Sequence, residues 1–312
     1  MLRAATLLVP ALLAASPMAA LAQDATWLAN PPTNQFNSVP NWTAGVPIGT
    51  AIFGGSTTTA ISLAPGGVTV GGFQFNAGAP AYSFTGTSGL TFTGTGIVNN
   101  SASAPAISMT GASIAFTNAA SGGNAQLILN SGASLNISGL TSAGTSVGSI
   151  EGAGSVTLGT KQLTTGGNNL STTLSGAISG AGGTLLKQGT GTLTLTGANT
   201  YTGGSTISAG TLSIGGGGTT GSIVGNVSHV AGGTLTFSRS DTLVYGGNAT
   251  GTGALRIVGS GTIVMTGTNT ANAGTTINAG STLQFGNGGT TGTISNSTLT
   301  ASAMLAITPK KW

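Results

Sequence analysis

The 312-residue chain contains no cysteine, and only 3% of its residues are charged, against about 25% in an ordinary soluble domain. Without cysteine there is neither a disulfide framework nor a thiolate metal site. Three acids and one histidine leave little material for acid–base catalysis. The formal net charge of +4 rests on seven cations, Arg3, Lys161, Lys187, Arg239, Arg256, Lys310 and Lys311. A nucleic-acid surface needs clustered cations that release counterions together; only Lys310 and Lys311 are adjacent, so no nucleic-acid partner is expected. Proline is missing between Pro105 and Pro309. Because proline removes a ladder donor, the stretch between them is free to build uninterrupted sheets. No segment after residue 22 is apolar for long enough to span a membrane as a helix.

What is present is glycine, 56 residues of it, with Ser, Thr, Asn and Ala, and a hydrophobic content of 39% that suffices for a core. The first 22 residues have the form of a secretory signal: a cationic Met1-Leu2-Arg3, an apolar Leu7 to Ala15, and Ala20-Leu21-Ala22 before a cleavage point at Gln23. Export is therefore expected. Residues 23–105 hold seven of the ten prolines and most of the aromatics, including Trp27, Phe36, Trp42 and Phe53, and suggest an N-terminal cap or first coils.

Residues 106–308 carry short alternating pairs: Leu127/Leu129, Leu135/Ile137, Val156/Leu158, Leu193/Leu195, Leu212/Ile214, Leu235/Phe237, Leu255/Ile257, Ile263/Met265 and Leu283/Phe285. Each is an i, i+2 pair around a small or polar residue, the mark of a half-buried strand. Helical stripes are absent, and so much glycine would weaken helices by about 1 kcal/mol per site. The class is all-β. Pairs recur about every twenty residues, and a longer repeat lies over them: Gly191 to Gly210 matches Gly261 to Gly280, seventy residues on. Repeat copies lie near 185–223 and 255–294, and their seventy-residue offset is about three coils at the usual solenoid period. A right-handed parallel β-helix with an N-terminal cap region is expected. Its apolar pairs would stack in one interior column, with Thr outside and corner asparagines such as Asn199 laddering their amides.

The segment Leu185-Leu-Lys-Gln-Gly-Thr-Gly-Thr-Leu-Thr-Leu-Thr-Gly-Ala-Asn-Thr-Tyr-Thr-Gly-Gly-Ser-Thr-Ile-Ser-Ala-Gly-Thr-Leu212 closely resembles the autotransporter-associated β-strand repeat, also called the passenger-associated transport repeat. Lys187, Gly189, Gly191, Leu193, Leu195, Asn199, Tyr201, Gly203, Gly210 and Leu212 fall on its pattern. The second copy departs from it, with Ile257 in place of the lysine and Ala271 in place of the tyrosine. The resemblance implies a type V passenger, threaded out through an outer-membrane translocator barrel to the cell surface or beyond, whose coils help drive export. No barrel strands follow Leu299, since 300–312 allow one strand at most and 309–312 form only a tail. Either the chain is a truncated passenger or a partner supplies the pore.

The candidate chemistry is thin. Glu151 and Asp241 lie about four coils apart, roughly 19 Å, too far for either glycosidase geometry. His229 with Asp241 and a serine can be drawn as a triad only because serine is abundant; a solvated corner histidine is the plainer reading. Arg239 and Asp241 suggest a weak surface ion pair, and Gly216 to Gly221 a loop. Thr192, Thr194 and Thr196 could form a crystal-binding array, but Val264 replaces Thr194 in the second copy. No metal, cofactor or catalytic residue is expected, and the chain is not expected to be an enzyme. A structural or adhesive stalk is the leading expectation, with host or surface glycans or proteins as targets; a carbohydrate-active β-helix is the alternative.

Overall fold

The computed structural model describes residues 22–271, 273–287, 292–294, 298–301 and 304–307. The expected signal peptide, Ala22 apart, and the 309–312 tail lie outside the described residues. Strands pair in parallel with the strand one coil on, and the longest sheet stacks twelve of them. At about 4.8 Å per rung the stack is about 50 Å long. The molecule is a parallel β-solenoid.

Each complete coil has three faces. Ser134–Asn136, Gly144–Val147 and Ser149–Gly152 follow one another and lie in three different sheets; Ser155–Thr157, Gln162–Thr165 and Thr172–Leu174 repeat the order one coil on. We call these the first, second and third faces. The first face runs from Ala25–Thr26 to Ile178–Ser179 and is carried on, after a gap, by the sheet from Thr242–Tyr245 to Met304–Ile307. Alternation sets the wall: Gln126–Leu129, Thr192–Leu195 and Thr282–Phe285 each bury their second and fourth residues. A four-residue strand has no partner for that apolar side, and stacking supplies it. On the third face Leu193, Leu212, Leu235 and Leu255 sit directly over one another. All nine expected pairs are at most 3% exposed.

They do not form one column, however. Leu135/Ile137 and Val156/Leu158 line the first face, Leu193/Leu195 and its neighbours the third, and Ile263/Met265 the continuation of the first. The second face was not evident in the sequence at all. Its inward column reads Thr165, Lys187, Ile207, His229, Gly251.

The seventy-residue repeat is also not a whole number of coils. Lys187 lies on the second face three coils below Gly251, whereas Ile257, seventy residues on, lies on the third face between Phe237 and Ile277. Leu193 likewise maps from the third face to Ile263 on the first. Seventy residues thus make three coils and one further face. This is possible because each face asks for the same thing, a short period-two strand and a corner, so a motif can start on any of them.

Coiling begins before the proline-free stretch, since Ala25–Thr26 already pairs with Thr50–Phe53. The prolines from Pro31 to Pro105 all lie outside strands, where their missing donor does no harm. The interior of these first coils is aromatic: Trp27, Phe36, Trp42, Phe53, Phe73, Phe75, Tyr82 and Phe84 are buried together. Both indoles are satisfied there, Trp42 Nε1 donating to the Phe36 carbonyl at 2.7 Å and Trp27 Nε1 to that of Thr58 at 3.0 Å.

Candidate functional site

The motif residues form a connected set inside and between the coils. Gly191 lies where two backbones touch, since a Cβ there would come 2.2 Å from the Leu170 carbonyl oxygen. Gly210 combines φ of +63° with a Cβ position 2.4 Å from the Gly189 oxygen, and Gly203 meets the carbonyls of Gly182 and Gly183. Leu193, Leu195 and Leu212 are core.

Asn199, 1% exposed, joins three coils. Its Oδ1 accepts from the Ile178 N–H at 2.9 Å, while Nδ2 donates to the carbonyls of Gly197 at 3.0 Å and Ser222 at 2.9 Å. The expected amide-on-amide ladder is therefore replaced by bonds to the backbone above and below. The same side-chain-to-backbone pattern recurs along the second face, where Asn226 Oδ1 accepts from the Asn248 backbone N–H and Asn248 Oδ1 from that of Thr268. Asn199→Ala would leave the buried Ile178 N–H without its partner, while the Gly197 and Ser222 carbonyls keep a backbone donor each. We expect a loss of about 1–3 kcal/mol, read as a lower urea midpoint.

Lys187 is 1% exposed. Its ammonium donates to the carbonyls of Gln188 at 2.8 Å, Gly189 at 3.0 Å and Ala209 at 3.3 Å. Desolvation lowers its pKa to about 8. Tyr201 is fully buried with its hydroxyl 2.6 Å from Ser205 Oγ, and burial pushes the phenol up to about 12 against the opposing Ser205 bond. Ser205 was missed in the sequence because nothing local marks one serine among many.

The repeat carries its corner with it. A Cβ on Gly221 would meet Gly215, Gly215 N–H donating to the Leu195 carbonyl. Gly292 meets Gly286 in the same way, and Gly286 N–H donates to the Met265 carbonyl.

The residues considered for catalysis stay apart. Glu151 faces outward on the third face, taking a 2.5 Å hydrogen bond from Gln126 Nε2. Asp241 follows the strand four coils further on. His229 is not a solvated corner residue: it ends the strand Val227–His229 at 0% exposure, whereas the Asp241 side chain is 38% exposed. The Val-x-His spacing places the imidazole inward exactly as Leu-x-Leu places leucine, and that signal was available in the sequence. The Arg239–Asp241 pair is likewise more than a surface contact. Arg239, 6% exposed, holds Asp241 through Nε at 2.8 Å and Nη2 at 2.9 Å and donates to the carbonyls of Thr219 and Gly221. It pins the 216–221 loop to the wall. The guanidinium also holds the Asp241 carboxyl below its usual range.

The threonine array is bounded differently from the sequence expectation. Thr192/Thr194, Thr211/Ser213 and Thr234/Thr236 stack on the third face, and Val264 belongs to another face. The array ends at Ala254/Arg256, and Ser213 and Thr236 are buried. A shallow groove of about 380 Å³ opens where the second face begins, lined by Ser121, Ser142, Thr145, Ser146, Gln162 and Thr164; no titratable side chain lines it. Among the described residues no three His, Cys, Asp or Glu lie together, and no helix is long and apolar enough to cross a membrane.

Fold and motif together define a repeat protein of the parallel β-solenoid kind, with its signature residues spent on joining coil to coil. The passenger-associated-transport-repeat family matches the chain twice, at 185–214 and 258–285. The chain carries two such repeats, and with the solenoid they fit an autotransporter passenger. No curated protein and no solved structure matches it.

Proposed function

We propose that the chain is the exported passenger shaft of an autotransporter-type system, displayed at the cell surface or released from it, with a structural or adhesive role and no enzymatic one. Two transport repeats set within one continuous solenoid carry this reading. Export is initiated by the signal peptide ending at Ala22, and an outer-membrane translocator barrel, on another segment or another chain, is the partner. The non-enzymatic reading is supported by the four-coil separation of Glu151 and Asp241 and by the burial of His229 away from both. The exterior offers hydroxyls and amides with few charges, a surface suited to hydrogen bonding with glycans or proteins.

Expression in the source cell, with protease added to intact cells, tests the proposal. The expected result is loss of the protein from intact cells and a mature chain whose N-terminal sequence begins at Gln23. Protection of the protein until the cells are lysed overturns it.

A further inference from the structure

We infer that His229 is an acid-sensitive latch in the coil linking the two transport repeats, and that protonating its imidazole opens the shaft there. His229 lies between the matched segments 185–214 and 258–285. It sits inside the second face, over Ile207 and under Gly251. Neither ring nitrogen has a hydrogen-bond partner of ordinary geometry. The ring occupies space left by an absent side chain, since a Cβ on Gly253 would come 2.7 Å from Nδ1.

No counter-ion is available. The strands packed on it, Ser205–Ile207, Ala249–Gly251 and Gly233–Ser238, carry no charged or titratable side chain. The phenols in this stretch are engaged, Tyr201 with Ser205 and Tyr245 with the carbonyls of Gly225 and Asn248. Lys187 lies two coils below, behind Ile207, and Arg239 is paired with Asp241. An imidazolium here would be a buried, uncompensated charge, which a low-dielectric interior strongly disfavours. Burial accordingly depresses the imidazole below its ordinary 6.5, with the Gly253 backbone opposing part of the shift.

The sign follows from which form holds the proton. Below pH 6.5 the unfolded ring is protonated while the buried ring is not, so the opened form gains a proton and stability falls with pH. His229 is the only histidine of the chain, and carboxylates ordinarily titrate at about 4. Stability between about pH 5 and 6.5 therefore answers to one side chain. Coils of a solenoid depend chiefly on their neighbours, so the loss is felt locally first.

Hydrogen exchange of the purified protein, corrected for intrinsic rates and followed by mass spectrometry, tests this across pH. Peptides covering 222–258 are expected to open up to tenfold more often per pH unit below 6.5, while those covering 126–158 do not change. His229→Leu and His229→Asn, one apolar and one polar, are both expected to lose that dependence. The single imidazole signal in NMR is expected to show no titration near 6.5 in the folded protein. A flat wild type, an unchanged slope in a folded variant, or an imidazole titrating near 6.5 while folded overturns the latch. The NMR measurement stands even if neither variant folds.

Discussion

Phe53→Ala is expected to cost about 3–5 kcal/mol, the largest loss from any single truncation considered, and to lower the urea midpoint accordingly. Phe53 ends the strand Thr50–Phe53 and is 0% exposed. Its ring lies 5.0 Å from Phe75, 5.1 Å from Tyr82, 5.3 Å from Phe84, 5.4 Å from Phe73 and 5.7 Å from Trp42. Removing it takes away the transfer free energy of one phenyl group and leaves a void bounded by five rings that are themselves held by strands. Relaxation into that void is limited, because the surrounding rungs are fixed by parallel pairing on both sides. Phe53→Leu, which refills part of the volume, is expected to recover roughly half of the loss. Equal midpoints for wild type and Phe53→Ala would show that the aromatic interior of the first coils does not contribute to holding the shaft together.

The second large effect is a pH dependence set by Lys187. Its folded pKa is lowered to about 8 from an ordinary 10.5. Between those values the unfolded lysine holds a proton that the folded one has shed, so stability rises as pH rises. The tyrosines act in the opposite sense. Burial raises Tyr82, Tyr201 and Tyr245 above their ordinary 10, so the unfolded chain loses protons first and stability falls above pH 10. The expected profile therefore climbs by about 2–3 kcal/mol from pH 8 to 10 and then declines. Lys187→Met keeps the buried stem, removes the titration, and is expected to abolish the climb while preserving the decline. Denaturant titrations at a series of pH values read both limbs, and a climb that survives in Lys187→Met would assign it to some other group.

Much of this architecture is legible in the sequence. The third face was legible because leucine and isoleucine occupy its inward positions coil after coil, and the glycines of the motif announced corners. The second face was hidden for a physical reason: in each strand at least one of the two inward positions is not a large apolar residue, at Thr165, Lys187, Ser205, His229 and Gly251, so a search for apolar pairs passes over it. Parity was the remaining clue, as Val227-Ser-His229 has the same inward-outward-inward order as Leu193-Thr-Leu195. Arg239 gave no local sign of its role, because the carbonyls it holds, at Thr219 and Gly221, lie about a coil earlier in the chain. The lysine and asparagine of the motif could be located by resemblance. That they serve as donors to backbone across neighbouring coils became visible only when the coils were stacked.

The offset of three coils and one face has a geometric outcome. The bend closed by Gly215 and Gly221 and its twin closed by Gly286 and Gly292 stand about 16 Å apart along the axis and point in different compass directions. Anything that docks on one bend cannot reach the other from the same side. Kindred corners thus wind around the rod like treads on a spiral stair, and no single flank collects them all.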